Sequence, residues 1–469
     1  MLPQRALDPP GYRRRRPEET PVWRAVLAGL RTFIERCESD GTRLPRYVRR
    51  ELDGYLRCGL LAYGFARVRC PFCKDDLLVA LSCKGRGFCP SCSGRRMADT
   101  ALRLVDSVLP DVPVRQWVLS VPFAVRLWLA CDPSLLTAVL TLFVQEVTNK
   151  YRELARDRGW DSVRCGAVTS IQRFGSSLNL NVHFHTLFLD GAYVLDASGG
   201  PPRWQTLHPC DEDVREVVEA VRRRADALLS RRRQPTLLDE DRNLARVCQL
   251  SLLDERIDEP PRPRPRPTRN GHPLPRKQMG ARAGQWDLHA AVTVAQGKRD
   301  ELLRLCKYIV RSPLALERME LLPDGRIRYA LRRPRHDGGT CIELEPVDLV
   351  ARLTAMIPPP GRHMVRYHGI LAPAAPQRAL VVPRPSDGSC RRRRRATTPM
   401  RSPGPGDRIP WAELLRRTFA IDVLRCVRCG GQRSIVGIVR SGSVARTILE
   451  HLGERVVVPR LAPARGPPE

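Results

Sequence analysis

His183 and His185 stand two positions apart in the run Leu-Asn-Leu-Asn-Val-His-Phe-His-Thr-Leu-Phe-Leu, residues 178–189. Written as a strand, this run puts Asn179, Asn181, His183 and His185 on one face and Leu178, Leu180, Val182 and Phe184 on the other. Two imidazoles at i and i+2 of a strand are about 7 Å apart at the backbone, so their rings can converge on one metal ion. The chemistry this offers is metal-assisted. A nucleophile to go with it is found at 300–311, where Leu302, Leu305 and Ile309 form an apolar stripe at helical spacing and Pro313 ends the helix. On another face Arg304, Tyr308 and Arg311 fall at i−4, i and i+3, with Lys307 adjacent in sequence. A phenol ringed by cations suits attack on a phosphodiester: the cations hold the phosphate and favour phenolate over the free pKa of about 10.

A third group is made of cysteines. Cys58, Cys70, Cys73, Cys83, Cys89 and Cys92 fall close together, and the two Cys-x-x-Cys pairs at 70/73 and 89/92 are fifteen residues apart. That spacing predicts a four-thiolate structural zinc site on Cys70, Cys73, Cys89 and Cys92. Cys58 and Cys83 are left as ligands of a second site or as packed thiols. The pair Cys426 and Cys429 is half a site, as readily a turn as a ligand pair unless another element completes it. Lys84, Arg86, Arg95 and Arg96 around the first cluster suit phosphate contact.

The elements that must position these groups can be read from periodicity and breakers. At 469 residues the chain is expected to hold several domains. Residues 1–20 read as a disordered basic tail, and 21–110 as a zinc-binding N-terminal domain opening on helical apolar spacing. Residues 111–372 read as the domain carrying the histidines and the tyrosine. Within it a strand is expected at 114–121, a long amphipathic helix at 135–158, and strands at 163–174 and 178–189, with Asp190-Gly191 as a hairpin-type turn. A Pro- and Arg-rich linker interrupts it at 255–280, because alternate prolines deny the chain both helix and ladder. A basic linker at 373–410, with five consecutive arginines at 391–395, precedes a small C-terminal unit at 411–455. The predicted class is α+β: a Cys-rich zinc-binding module followed by an antiparallel-sheet domain.

Composition narrows the function. Lys and Arg number 80 against 50 Asp and Glu, a formal charge of +30 that attracts polyanions, nucleic acid first. No run approaches the roughly 18 apolar residues of a membrane span, and the N-terminus lacks an apolar signal core. The chain is expected to be cytoplasmic and to associate with the nucleoid when bound to DNA. Its 16 cysteines are then expected as thiols or metal ligands rather than disulfides.

The residues also match a known pattern. The chain resembles the rolling-circle insertion-sequence transposases of the insertion sequence 91 family, which join a zinc-binding domain to an HUH (His-hydrophobe-His) nuclease domain. The resemblance is carried by Cys70-Pro-Phe-Cys73, the block from Ser82 to Cys92 and Arg95-Arg96-Met97, then Gln172-Arg-Phe-Gly175, the histidine run and Asp190-Gly191. It continues in Leu288-His289-Ala290, Leu305-Cys-Lys-Tyr-Ile-Val-Arg-Ser-Pro313 and Arg366-Tyr-His-Gly-Ile-Leu-Ala-Pro373. What it implies is a DNA transposase in which His183 and His185 bind Mg²⁺ or Mn²⁺ and Tyr308 attacks the scissile phosphate. A 5′-phosphotyrosine link and a free 3′-OH would result, and the link could be rejoined to a target without ATP. The substrate implied is element ends exposed as single strands or hairpins, with phosphate contacts from Arg304, Lys307 and Arg311. Founding members carry two tyrosines four residues apart; here that position is Ser312, as in single-tyrosine relatives.

The third metal ligand is left between two residues. A tight hairpin through Ser176 pairs Gln172 near Asn179, away from the histidines, so His289 is preferred and Gln172 is the alternative. Asp190 reads as a turn residue, and His363 and His368 as packing or phosphate-facing residues. Tyr367, beside Arg366, is a weaker second nucleophile candidate. Two other functions fit parts of the pattern: a replication initiator or relaxase, and an inactive zinc-dependent DNA-binding relative.

Overall fold

The computed structural model describes residues 12, 14–196, 200–232, 239–250, 268–269, 272–273, 279–332, 334, 338–383, 411–419 and 422–464. The 391–395 arginines and most of both expected linkers lie outside them, as does most of the expected basic tail. Within that tail, Pro17–Glu19 forms a 3-10 turn, and Thr20 caps the following helix by accepting from the Trp23 amide. The chain divides into two compact units, 100–311 with 358–395, and 1–99 with 312–357 and 396–469.

The first of these carries the histidines. Its strands are β1 (Val114–Ser120), β2 (Gly166–Phe174), β3 (Leu180–Leu189), β4 (Gly280–Ala283), β5 (Trp286–Val294) and β6 (Val365–Gly369). They form one antiparallel sheet in the order β4-β5-β1-β3-β2-β6. The histidine strand β3 is therefore central, with β1 on one side and β2 on the other. Helices α1 (Phe123–Cys131) and α2 (Pro133–Arg156) follow β1. Asp132 starts α2 by accepting from the amides of Ser134 and Leu135, with Pro133 at the first helical position. The apolar stripe of α2 covers one face of the sheet: Phe143 stacks on Phe184, and Tyr151 packs on Trp117 and Phe188. The opposite face carries His183 and His185. At its other end Val168 and Leu187 are sealed by Leu302, Leu305 and Ile309 of α3 (Arg299–Ile309).

Two expectations about this sheet are corrected. Leu178 and Asn179 belong to the turn, not the strand: Leu178 takes a left-handed φ of 62° and the Gly175 amide donates to the Asn179 carbonyl. Nor does Asp190-Gly191 make a hairpin. Gly191–Val194 leaves the sheet and pairs instead with Val163–Arg164 and Arg203–Thr206. Asp190, at that crossing point, is buried and receives two bonds from the Arg115 guanidinium, at 2.9 Å each, and one from the Tyr151 hydroxyl at 2.7 Å. Arg115 also donates to the Ala290 carbonyl, tying β1 to β5. Two charges this well paired are tolerated inside, but either one alone is not.

In the second unit, Phe65–Arg69 and Asp76–Ala80 form a hairpin, and Ser434–Val439 pairs antiparallel with Phe65–Arg69. The C-terminal segment is thus not a separate unit, as 411–455 was expected to be. Nor do residues 312–357 group with the histidine sheet. Helix Pro21–Ser39 lies so close to Pro346–Ala355 that a Cβ on Gly29 would stand 2.5 Å from the Pro346 carbonyl carbon. Such pairings join segments far apart in sequence, which periodicity does not report.

Asp190→Ala leaves the Arg115 charge buried without its partner. It should cost about 3–5 kcal/mol of stability, read as a fall in the thermal midpoint of the full chain. A midpoint unchanged from wild type would show that this pair does not hold the sheet crossing.

Candidate functional site

Register builds the site. His183 lies directly opposite Gln172 on β2 and Ser120 on β1; His185 lies opposite Ser170 and Val118. Residues paired across a sheet present their side chains on the same face, so Gln172 shares the histidine face and adjoins His183. A bulge between Gln172 and Phe174 and the turn through Leu178 shift the pairing by several residues from a tight hairpin. The expectation that Gln172 pairs near Asn179 is overturned for that reason.

His183 and His185 are buried and their ring centroids are 4.9 Å apart. Their Nδ1 edges are engaged: His183 Nδ1 lies 2.9 Å from the Asn181 carbonyl, and His185 Nδ1 lies 2.8 Å from the Gln116 carboxamide. Such partners fix ring orientation and leave the Nε2 edges for a ligand. Burial, then the charges of Arg311 and Arg126, pushes His183 down to about 4. Burial, then His183 and Arg311, holds His185 well below the usual imidazole range. Both rings are therefore neutral at physiological pH, the state in which imidazole binds metal.

Tyr308 is in the last turn of α3, which ends at Ile309 rather than at 311. Its ring meets His185 edge to face, with centroids 5.7 Å apart and planes at 89°. Tyr308 is 43% exposed although its neighbours Leu305 and Ile309 are buried. The Arg311 guanidinium lies over the Tyr308 ring at 4.9 Å and over Phe174 at 5.5 Å. Arg304 is exposed one turn earlier on the helix, and Lys307 is half-buried. The helix end is fastened to β2 by one bond: Gln172 Nε2 donates to the Ile309 carbonyl at 2.7 Å, satisfying a helix-terminal acceptor. The other end of that carboxamide, Gln172 Oε1, is buried beside His183 with no hydrogen-bond partner among the described residues. A buried carbonyl oxygen left in that state is costly unless something binds it.

The other candidates fall elsewhere. His289 is on the same row of the sheet as His185, but Val118 stands between them. Among the described residues, neither His289 nor any Asp, Glu or Cys joins the two histidines in a close three-ligand group. His368 meets the Thr169 hydroxyl on β2, 3.0 Å from its Nε2, and burial pushes it down to about 4. Tyr367 packs against the apolar cluster around Val168 and Leu187. Gln116 and Arg126 were not anticipated. Gln116 follows Arg115 in an otherwise mostly apolar strand, and nothing in the sequence marks either Gln116 or Arg126 as a partner of the histidines.

The cysteines form two groups of four, each with its sulfur atoms within 4.8 Å of one another: Cys58, Cys83, Cys89 and Cys92, and Cys70, Cys73, Cys426 and Cys429. The expected grouping of Cys70 and Cys73 with Cys89 and Cys92 is not found. Each Cys-x-x-Cys pair has a different complement, one local and one from the C-terminal segment. In the first group the Cys58–Cys92, Cys83–Cys92 and Cys58–Cys89 sulfurs are 3.4–3.7 Å apart, too far for disulfides. The amides of Cys83 and Gly85 point at Cys58 and Cys83 sulfurs. Such a set of four thiols with amide donors fits a tetrahedral zinc ion, whose 2.3 Å bonds place sulfurs about 3.8 Å apart.

No single helix among the described residues is long and apolar enough to cross a membrane. The pair α1 and α2 qualifies jointly by composition, but the two helices bend by 120° and pack on the sheet. Comparisons with known proteins agree with the geometry. Residues 166–379, which hold the histidines, Gln172 and Tyr308, match the family model described as a putative transposase. Residues 30–121 match the model of a transposase zinc-binding domain. The transposase for insertion sequence element IS801 of Pseudomonas savastanoi pv. phaseolicola is 24% identical over 385 residues, covering 80% of each chain. No solved structure matches. The two family models fall in the order of a zinc-binding domain followed by a transposase domain, and the relative extends across both; the chain belongs to the transposases of the insertion sequence 91 family.

Proposed function

We propose that this transposase nicks and rejoins single-stranded DNA through a covalent 5′-phosphotyrosine at Tyr308. The observation that carries the reading is the convergence of an exposed tyrosine, two neutral buried imidazoles and an unpartnered carboxamide oxygen at one end of the sheet. His183, His185 and Gln172 would hold a divalent cation. The carboxamide oxygen is a hard donor of the kind Mg²⁺ and Mn²⁺ take, and the two imidazoles favour Mn²⁺ of the pair. Once bound, such an ion supplies Lewis-acid charge at the scissile phosphate. Gln172 replaces His289 as the third ligand in this reading.

The residues of the chain do the rest. Arg311 holds the phosphate beside the Tyr308 ring, with Lys307 and Arg304 extending the basic path along the helix. Tyr308 Oη attacks phosphorus, the Oη–P bond forms as the P–O3′ bond breaks, and the phenolic proton is balanced by the one gained at the 3′-oxygen. One strand leaves with a free 3′-OH while the 5′-phosphate remains on the tyrosine. Because the link is still a phosphodiester, attack by another 3′-OH rejoins DNA without an external energy source. The bond from Gln172 to Ile309 fixes the helix end, so nucleophile and ligands keep one spacing. The charge of +30 draws DNA to the chain, and residence with the nucleoid follows from that substrate. Cys58, Cys83, Cys89 and Cys92 would hold a structural zinc ion in the matched zinc-binding domain.

Labelled single-stranded oligonucleotides bearing element ends, incubated with Mn²⁺, should give a denaturation-resistant adduct with wild type and none with Tyr308→Phe, while DNA binding is retained. An undiminished adduct from Tyr308→Phe would refute the assignment. Manganese affinity separates the two candidate ligands. Gln172→Ala should weaken it by about tenfold or more, and His289→Ala should leave it unchanged; the reverse pattern would restore His289. The depressed pKa of both His183 and His185 also sets a pH dependence. Protons compete for the ligand lone pairs only below the imidazole pKa. Between about pH 7.5 and about pH 5.5 manganese affinity should therefore stay nearly flat, whereas two ordinary imidazoles would lose about a hundredfold. Titration calorimetry at both pH values distinguishes these.

A further inference from the structure

The second cysteine group joins segments more than 350 residues apart, Cys73 to Cys426 and Cys70 to Cys429, with each cross pair of sulfurs 3.5 Å apart. That distance is too long for a disulfide and close to the roughly 3.8 Å between sulfurs on one tetrahedral zinc ion. The backbone is built for the same purpose on both sides. In the first knuckle the Lys74 amide donates to the Cys70 carbonyl and the Cys70 amide to Asp75. In the second, the Gly430 amide donates to the Cys426 carbonyl and the Cys426 amide to Gly431. The residue after each second cysteine is left-handed, Lys74 at φ 61° and Gly430 at φ 71°. Lys74 is a non-glycine residue in that region, a conformation that costs energy unless the turn requires it. Two turns with one hydrogen-bond pattern, facing each other with four sulfurs converging, are poorly explained by packing alone.

The surroundings support a charged centre. Four thiolates around one zinc carry a net negative charge. Lys74, Arg425 and Arg428, in or beside the two knuckles, offset it, while Arg433 is buried and paired with Asp75, whose carboxylate lies 3.8 Å from Cys426 Sγ. Apart from its edge pairing with Phe65–Arg69 and the Arg433–Asp75 ion pair, the segment held by these cysteines buries little apolar surface. Its strand Ser434–Val439 is largely exposed, and its helix Gly442–His451 contributes Ala445 and Leu449 to a small cluster with Leu61 and Phe65.

We propose that Cys70, Cys73, Cys426 and Cys429 bind a second zinc ion that clasps residues 422–464 onto the Phe65–Ala80 hairpin. The ion closes a loop across most of the chain, and its binding energy stabilises an interface too small to hold by apolar burial alone. This site is separate from strand cleavage, and its test does not depend on that chemistry.

The full-length protein should contain two zinc ions per chain by elemental analysis. In native protein treated with iodoacetamide, Cys426 and Cys429 should be protected until a chelator is added. The exposed Cys210 and Cys341 provide the control, since Cys429 is exposed as they are and would react alongside them without a metal. Cys426→Ser with Cys429→Ser should lower the content to one zinc and open residues 422–464 to limited proteolysis. Cys429→His, which keeps a zinc ligand, should retain two. One zinc in wild type, or alkylation of Cys429 at the rate of Cys210 before chelation, would overturn the proposal even if the serine variant fails to fold.

Discussion

Antiparallel pairing between β2 and β3 has a period of two, so a slip of one residue would send His183, His185 and Gln172 to opposite faces. The site depends on that register being held. A bulge beside Gln172 and the left-handed Leu178 set it at the turn, and Thr169 and Thr186 bond across the same two strands at 2.9 Å on the reverse face. The strand is also central, flanked on both sides, which leaves it no free edge along which to slide. With the register held, two imidazoles and a carboxamide oxygen face the same way as the end of the tyrosine helix.

Burial then does chemical work. In water an imidazole pair would be partly protonated near neutral pH and would repel a cation. Here desolvation and the charges of Arg311 and Arg126 favour the neutral rings. The same cations that suppress histidine protonation are suited to a phosphate, so one arrangement of charge serves both the proposed metal ligands and the proposed substrate. Tyr308 remains at the surface, where a proposed nucleophile for DNA can be reached from outside. The Arg115–Asp190–Tyr151 network supports the opposite face of this sheet without touching the proposed chemistry.

Much of this was legible locally. Alternation put the histidines on one strand face, the Leu302, Leu305 and Ile309 stripe located the buried side of the tyrosine helix, and the cysteine spacing pointed to zinc. What failed was long-range or register-dependent. Gln172 was set aside on a turn assumed to be tight, and Asp190 was taken for a turn residue because Asp-Gly commonly makes one, whereas its carboxylate meets an arginine from another strand. The cysteine pairs were grouped by closeness in sequence. Cys89 and Cys92 are completed locally by Cys58 and Cys83, but the complement of Cys70 and Cys73 comes from beyond residue 420, and no local pattern records that pairing.

Tyr308, beside the two histidines, is the residue proposed to take the phosphate. Digestion of a DNA-treated sample with protease and nuclease, followed by mass spectrometry, identifies the residue that carries a nucleotide. One modified peptide is expected, containing Tyr308 linked through a 5′-phosphate. A nucleotide found on Tyr367, or on any other side chain with Tyr308 unmodified, would contradict that assignment.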